Sequence, residues 1–227
     1  MPVVTAHPAA KFYDGVGINV HLNNSAYADG TKVKNCLTAL NITHLRDLNF
    51  AQSATSWTRL REYMNLGYMF NFMMTTDLGS MNEQIATFAQ QPSGIVTLEG
   101  SNEDDITEFH RYTGDPSVRM NGTSGDGFPV GTRAWQQDLF NLINANSALS
   151  QKGIIGPSLA RGSSYATLGD LSPYCDYGNT HSYFSGGTNP GATREENKNE
   201  VVLIAPGRPI IATEGGYHTG TSVATGN

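Results

Sequence analysis

Short apolar runs alternate with amphipathic segments along most of the chain. The runs have the length and the β-branched and aromatic content of buried strands. They predict seven strands, over Val16–Leu22, Ile42–Leu48, Tyr68–Thr76, Gly94–Glu103, Gly153–Ala160, Cys175–Tyr183 and Pro209–Glu214. Between them, apolar residues recur at intervals of three and four, which predicts helices over Thr31–Asn41, Ser53–Asn65, Met81–Gln91, Thr132–Leu149, Tyr165–Leu171 and Arg194–Ala205.

This alternation carries no hairpin signal, so it indicates parallel strands joined by right-handed helical crossovers. A chain of 227 residues suits one α/β barrel better than two domains. We therefore expect a single domain, 1–227, that is an incomplete (β/α)8 TIM barrel with about seven β-α units, lacking the eighth strand and its helix. An open, doubly wound sheet is the alternative architecture.

Polar side chains collect near the carboxyl ends of the predicted strands. The fourth strand ends on Asn102 and Glu103, and the seventh ends on Glu214. Alternation along a strand puts Glu103 on one face with Ser101 and Glu99. Other polar residues share this habit on their own strands: Asn19, His21, His44, Arg46, Asn71, Asp77, Asn179, His181 and Tyr183. In a parallel barrel that face is the interior, and catalytic residues gather at its carboxyl-terminal mouth.

Two glutamates at one mouth suit glycoside hydrolysis. One carboxyl group protonates the leaving oxygen, and the other is a nucleophile or a base toward water. An arginine such as Arg46 beside the nucleophile would hold it ionised. Glu99 points inward below Ser101, where a charge needs a partner, so we expect a structural ion pair between Glu99 and Arg46.

The motifs together resemble the clan-A glycoside hydrolases, which are retaining enzymes on a (β/α)8 barrel. The resemblance covers nearly the whole chain and is carried by Leu98-Glu-Gly-Ser-Asn102-Glu103, His181-Ser-Tyr183, Thr213-Glu214-Gly and Arg46. Two further segments resemble motifs of bacterial, secreted proteins of this kind. They are Trp135-Gln-Gln-Asp-Leu139 and Glu214-Gly-Gly-Tyr-His218. Clan-A barrels have an eighth strand, and no segment of this sequence corresponds to it. We therefore expect the chain to be a fragment of a longer protein.

The resemblance implies a retaining hydrolase that cleaves O-glycosidic bonds of a poly- or oligosaccharide by double displacement, without a cofactor. Glu103 would be the acid/base and Glu214 the nucleophile. Asn102 would bond the sugar 2-hydroxyl, Tyr183 and Arg46 would bond Glu214, and His181 would line the nucleophile's side. The predicted set of substrate-binding or supporting residues is completed by Asn19, His21, Asp77 and Tyr217.

The composition of the chain argues against nucleic acid and membrane as partners. A net charge of −6 argues against a nucleic-acid backbone as ligand, and no apolar run reaches the roughly 18 residues that a membrane helix needs. The first residues carry no signal-peptide pattern, yet the resemblance points to an extracellular or periplasmic location. Cys36 and Cys175 are expected to be two buried free thiols.

Two other functions remain open. A non-catalytic carbohydrate-binding barrel, or an inactive glycosidase fragment, would keep the polar mouth without the chemistry. A metal-dependent hydrolase would use His21, Asp77, His181 and His218, but the sequence has no His-x-His or His-Glu-x-x-His spacing. A nucleotide-binding fold is disfavoured because no glycine-rich loop follows the first strand.

Overall fold

The computed structural model describes residues 8–48, 54–74, 79–107, 110–118, 124–183 and 190–216. Its strands are β1 Gly17–Asn19, β2 His44–Leu48, β3 Met69–Met73, β4 Ile95–Glu99, β5 Gly153–Ile155, β6 Gly178–Tyr183 and β7 Ile210–Gly216. Its helices are α1 Ala9–Asp14, α2 Gly30–Leu40, α3 Ala54–Asn65, α4 Met81–Phe88, α5 Val130–Ala145, α6 Gly162–Leu168 and α7 Pro190–Ile204. Every predicted strand and helix has a counterpart, and α1 is an additional helix that the pattern did not predict.

The strands form two parallel sheets. Strands β1 to β5 pair in chain order in one sheet, and β6 pairs with β7 in the other. A single parallel bridge between Ile155 and Tyr177 connects β5 to the chain just before β6. The α/β class with parallel strands is thus confirmed, and the uninterrupted order of the first sheet has none of the reversal that a doubly wound sheet requires.

The described strands form parallel sheets that do not close into a barrel. Among the described residues, no strand pairing joins β1 to β7, and β5 meets β6 only through the bridge at Ile155. The first sheet is therefore an open parallel sheet, and the second is a separate two-stranded one.

Helices pack on the outward faces of both sheets through two hydrophobic clusters. The larger cluster joins strand residues such as Phe70 and Leu98 to helix residues such as Leu60 and Trp135. The smaller cluster, which includes Leu168 of α6 and Val201 of α7, lies against the second sheet. Burial of these side chains leaves the opposite, polar faces of the strands for the site.

Two helix starts are fixed by side chains that cap free backbone N–H groups. Asp29 accepts a hydrogen bond from the Lys32 N–H at the start of α2. Ser80 and Glu83 form a reciprocal capping box at the start of α4. Such caps satisfy donors that have no partner inside the helix, and they explain why these starts fall within one residue of the predicted positions.

Strands β4 and β5 are shorter than predicted. Their regular ladder is interrupted at Gly100 and Pro157, where a Cβ on Gly100 would lie 2.9 Å from the Pro157 nitrogen, and pairing resumes as a single bridge between Asn102 and Ser158. Proline also has no N–H to donate to a ladder. As a result, Asn102 and Glu103 lie beyond the end of β4 rather than on it.

Hydrogen bonds hold the described parts of the long connection after Glu103. It contains a short 3-10 helix, Asp104–Ile106, and an antiparallel bridge between Tyr112 and Asp126. No described helix is both long and apolar enough to cross a bilayer. Cys36 and Cys175 are both free, as expected, but only Cys175 is buried, so the expectation of two buried thiols was wrong for Cys36.

Candidate active site

A fully buried carboxylate, Glu99 at the end of β4, lies at the centre of the polar cluster. Its two oxygens accept both arms of the Arg46 fork, from Nε and Nη2, each at 2.7 Å. Asn71 and Asn179 donate to it from β3 and β6 at 2.8 and 3.0 Å. The predicted ion pair of Glu99 with Arg46 is confirmed, and these donors from three strands offset the cost of burying the charge.

Arg46 connects this buried carboxylate to the mouth of the site. Its Nη1 donates to Glu214 Oε1 at 2.7 Å, and its Nη2 lies 3.2 Å from Asn102 Oδ1. Arg46 is itself 9% exposed, so water screens these contacts little. One guanidinium thus orients Glu99, Glu214 and Asn102 at once.

Glu214 on β7 is held by two donors. Besides Arg46, the Tyr183 hydroxyl donates to Oε2 at 2.8 Å, so both contacts expected from the resemblance are present. Burial alone would raise the pKa of Glu214, but the neighbouring His181, the Tyr183 hydrogen bond and Arg46 outweigh it and hold that pKa below its ordinary value. Burial and the neighbouring carboxylate raise the pKa of Tyr183 to about 12, so its hydroxyl stays protonated.

Glu103 is placed by backbone contacts between the two loops that follow β4 and β5. Its backbone N–H donates to the Ser158 carbonyl at 3.0 Å, and Asn102 forms a parallel β-bridge with Ser158. Glu103 adopts a left-handed conformation, with φ 53° and ψ 42°. Such a conformation is costly for a residue other than glycine, and residues held in it cluster at functional sites.

The ring of His181 lies between the two glutamates. Its Nδ1 is 2.8 Å from Glu103 Oε1, while its Nε2 is 3.2 Å from the Thr213 hydroxyl and 3.7 Å from Glu214 Oε1. The resemblance implied a place on the nucleophile's side, but the closest carboxylate contact of His181 is with Glu103. A single imidazole spans the gap between Glu103 and Glu214.

Thr213 belongs to this site although strict alternation would turn it away from Glu214. The register between β6 and β7 shifts here, because Thr180 pairs with Ala212 while His181 pairs with Glu214. Thr213 is the extra residue of a β-bulge, and bulges redirect side chains near active sites. The period-two pattern cannot reveal a bulge, so sequence reasoning missed Thr213.

Asn71 and Asn179 also belong to the cluster, because both donate a hydrogen bond to Glu99. The sequence placed both on the inward face but assigned neither of them a role. Asn71 also accepts a hydrogen bond from Thr97 at 3.0 Å, and Asn179 donates to the Gly156 carbonyl at 3.2 Å. The signal that could have found them is an amide side chain at the level of a buried glutamate on a neighbouring strand.

Two cavities adjoin the glutamates. A cavity of about 760 Å³ follows the strand interior from β1 to β7 and is bordered by Asn19, Arg46, Asn71 and Glu214. A smaller one, about 300 Å³, is bordered by Glu103, His181 and Tyr183, and by Glu196 and Glu200 of α7. Glu214 borders the larger cavity and Glu103 the smaller one, and Tyr183, which borders the smaller cavity, donates its hydroxyl hydrogen to Glu214.

The remaining predicted residues differ in where they lie. Asn19 ends β1 and borders the larger cavity. His21 is exposed beyond the end of β1, and the centroid of its ring lies 6.3 Å from that of Tyr27. The chain leaves the ladder there because the Leu22 N–H binds the Asp47 carboxylate instead. Asp77 and Tyr217 lie outside the described residues.

The alternative of a metal centre rests on His21, Asp77, His181 and His218. Within the described ranges, no three His, Cys, Asp or Glu side chains converge as a metal site would require. Asp77 and His218 of the alternative metal set lie outside those ranges.

A scan against protein-family models and a search of curated proteins both find no match to this chain.

Proposed function

We propose that this protein is a retaining glycoside hydrolase that cleaves O-glycosidic bonds of a poly- or oligosaccharide. The observation that carries the proposal is the different environment of two carboxylates on either side of one imidazole. Glu214 receives hydrogen bonds from Arg46 and Tyr183, which favour its ionised form. Glu103 faces the His181 ring, with which it can exchange a proton.

In the first step, Glu214 attacks the anomeric carbon while Glu103 gives its proton to the leaving oxygen. The glycosidic bond breaks as a covalent glycosyl ester forms on Glu214. In the second step, Glu103 takes a proton from water, the water oxygen attacks the anomeric carbon, and Glu214 leaves as a carboxylate. Asn102 Oδ1 is engaged by Arg46, so the amide N–H donors of Asn102 are left to bond the sugar 2-hydroxyl.

We further propose that the seven strands are part of a (β/α)8 barrel. The strands of the first sheet follow chain order, and polar groups from β2, β4, β6 and β7 meet near their carboxyl ends, which is where such barrels carry their sites. One cavity is bordered by both β1 and β7. An additional helix-strand unit between these two strands would close the ring.

The test is hydrolysis of a panel of aryl glycosides by the wild-type protein and by two variants. Glu214→Gln is expected to abolish turnover, and Glu103→Gln to lower it by at least about 10²-fold on poor leaving groups and less on activated ones. Glu195→Gln, at an exposed site on α7, is the control and should behave like the wild type. Sugar binding without any hydrolysis by the wild type would instead support a carbohydrate-binding protein.

A further inference from the structure

The hydroxyl group of Thr213 lies where three polar groups converge. It is 2.8 Å from Asn179 Oδ1, 3.1 Å from Glu99 Oε1 and 3.2 Å from His181 Nε2. A hydroxyl has one hydrogen to donate and two lone pairs to accept with. The Thr213 side chain is buried, so water cannot replace a missing partner.

Two of these three groups can only accept. The Asn179 amide nitrogen donates to the Gly156 carbonyl and to Glu99, which places Asn179 Oδ1 toward Thr213. Glu99 is a carboxylate whose oxygens are occupied by N–H donors from Arg46 and the two asparagines. The single hydrogen of Thr213 is therefore committed to these acceptors, and Thr213 must accept from His181.

We propose that Thr213 fixes the tautomer of His181 with a hydrogen on Nε2. The contact of 3.2 Å with Thr213 is closer than the 3.7 Å to Glu214, so that hydrogen points at the hydroxyl. The opposite tautomer would leave two groups facing each other with no hydrogen between them. Both Thr213 and His181 are then positioning residues for Glu103.

The consequence concerns the proton of the general acid. When Nε2 of His181 carries its hydrogen, the 2.8 Å contact between His181 Nδ1 and Glu103 Oε1 holds one shared proton. This proton lies either on a neutral Glu103 beside a neutral imidazole, or on an imidazolium beside a Glu103 carboxylate. Among the described residues, the other charged or titratable groups near the ring include Glu214 on its Nε2 side, with Arg46 and Tyr183 behind that carboxylate, and Glu196 and Glu200, which border the same cavity as the ring.

The use of this proton rests on the proposed glycosidase function, but its position does not. During bond cleavage the proton would pass from the Glu103–His181 pair to the leaving oxygen, and the pair would regain one from water in the second step. The fixed tautomer keeps Nδ1 from donating a second hydrogen to Glu103. Glu103 is thereby kept ready as an acid.

Nitrogen NMR of the full chain labelled with ¹⁵N-histidine tests the tautomer directly. The chain has 6 histidines, and the His181 signals are assigned from their loss in His181→Asn. We expect a protonated Nε2 in the wild type at neutral pH. Thr213→Val should shift the signals toward a protonated Nδ1, and Thr213→Ser should restore the wild-type pattern.

Thr180→Val is the matched control, because Thr180 is equally buried on the adjacent strand. It should leave the His181 signals unchanged. An unprotonated Nε2 in the wild type would overturn the proposal even if Thr213→Val fails to fold, and so would an unchanged spectrum of a folded Thr213→Val. Absence of glycoside hydrolysis together with the expected spectra would count against the proposed function alone.

Discussion

The three glutamates of the site differ in the number and kind of their hydrogen-bond donors. Glu99 has no exposed side-chain surface and receives an arginine fork and two amides. Glu214 receives one guanidinium N–H and one phenol, and Glu103 faces an imidazole. Rigid donors suit a permanent charge, whereas a titratable partner suits a group that must gain and lose a proton.

Replacement of Glu99 by glutamine should strongly destabilise the protein. Glu99→Gln would leave the Arg46 charge without its bidentate partner and would set an amide N–H group against other donors. Loss of one partner of a buried pair costs about 3–5 kcal/mol in the free energy of unfolding, which urea denaturation can measure. Glu62→Gln is the control, since Glu62 pairs with Lys34 at the surface and should matter little. Equal, small effects of both changes would contradict a structural role for Glu99.

Tyr183→Phe should move the acid limb of the pH–activity profile. The Tyr183 hydrogen bond is one of the causes that lower the Glu214 pKa, so its removal raises that pKa. Because the nucleophile must be ionised, the acid limb of kcat/KM is expected to shift to higher pH while the protein stays folded. Tyr174→Phe, remote from the glutamates, should leave the profile in place. A limb that moves to lower pH in Tyr183→Phe would refute the assignment.

At the scale of elements, the sequence predicts where a strand or helix exists better than where a strand ends. The apolar periods identified all seven described strands, and the central ones, such as β2 and β4, carry largely buried residues. Ends depend on contacts with other parts of the chain, such as Gly100 against Pro157, which no local pattern carries. The bulge at Thr213 likewise depends on pairing with β6, and it changes which residues enter the site.

Gly131 at the start of α5 should tolerate no side chain. A Cβ there would lie 1.8 Å from the Asp126 carbonyl oxygen, which belongs to the bridge with Tyr112. Gly131→Ala is expected to lower the free energy of unfolding by about 1–3 kcal/mol, through overpacking that the backbone must relieve. Gly127→Ala is the matched control, because the nearest atom to its Cβ is 4.0 Å away. Similar melting temperatures for both variants would contradict this packing.

At the scale of the whole molecule, two parallel sheets bring carboxylates from distant parts of the chain to one place. The sequence predicted this meeting from a shared habit of the strand ends, and the contacts among Arg46, Glu99 and Glu214 agree with it. It did not predict that β5 connects to the chain before β6 through a single bridge, or that the loops after β4 and β5 pair through Asn102 and Ser158. That same pairing sets the backbone of Glu103.

Trapping of a covalent intermediate tests the central claim most directly. The wild-type protein would be incubated with a panel of 2-deoxy-2-fluoro glycosides bearing activated leaving groups, and the intact mass and labelled peptide would be measured. We expect one glycosyl adduct, located on Glu214, that does not form in Glu214→Gln and forms more slowly in Glu103→Gln. An adduct on Glu103, or glycoside hydrolysis that inverts the anomeric configuration, would contradict it.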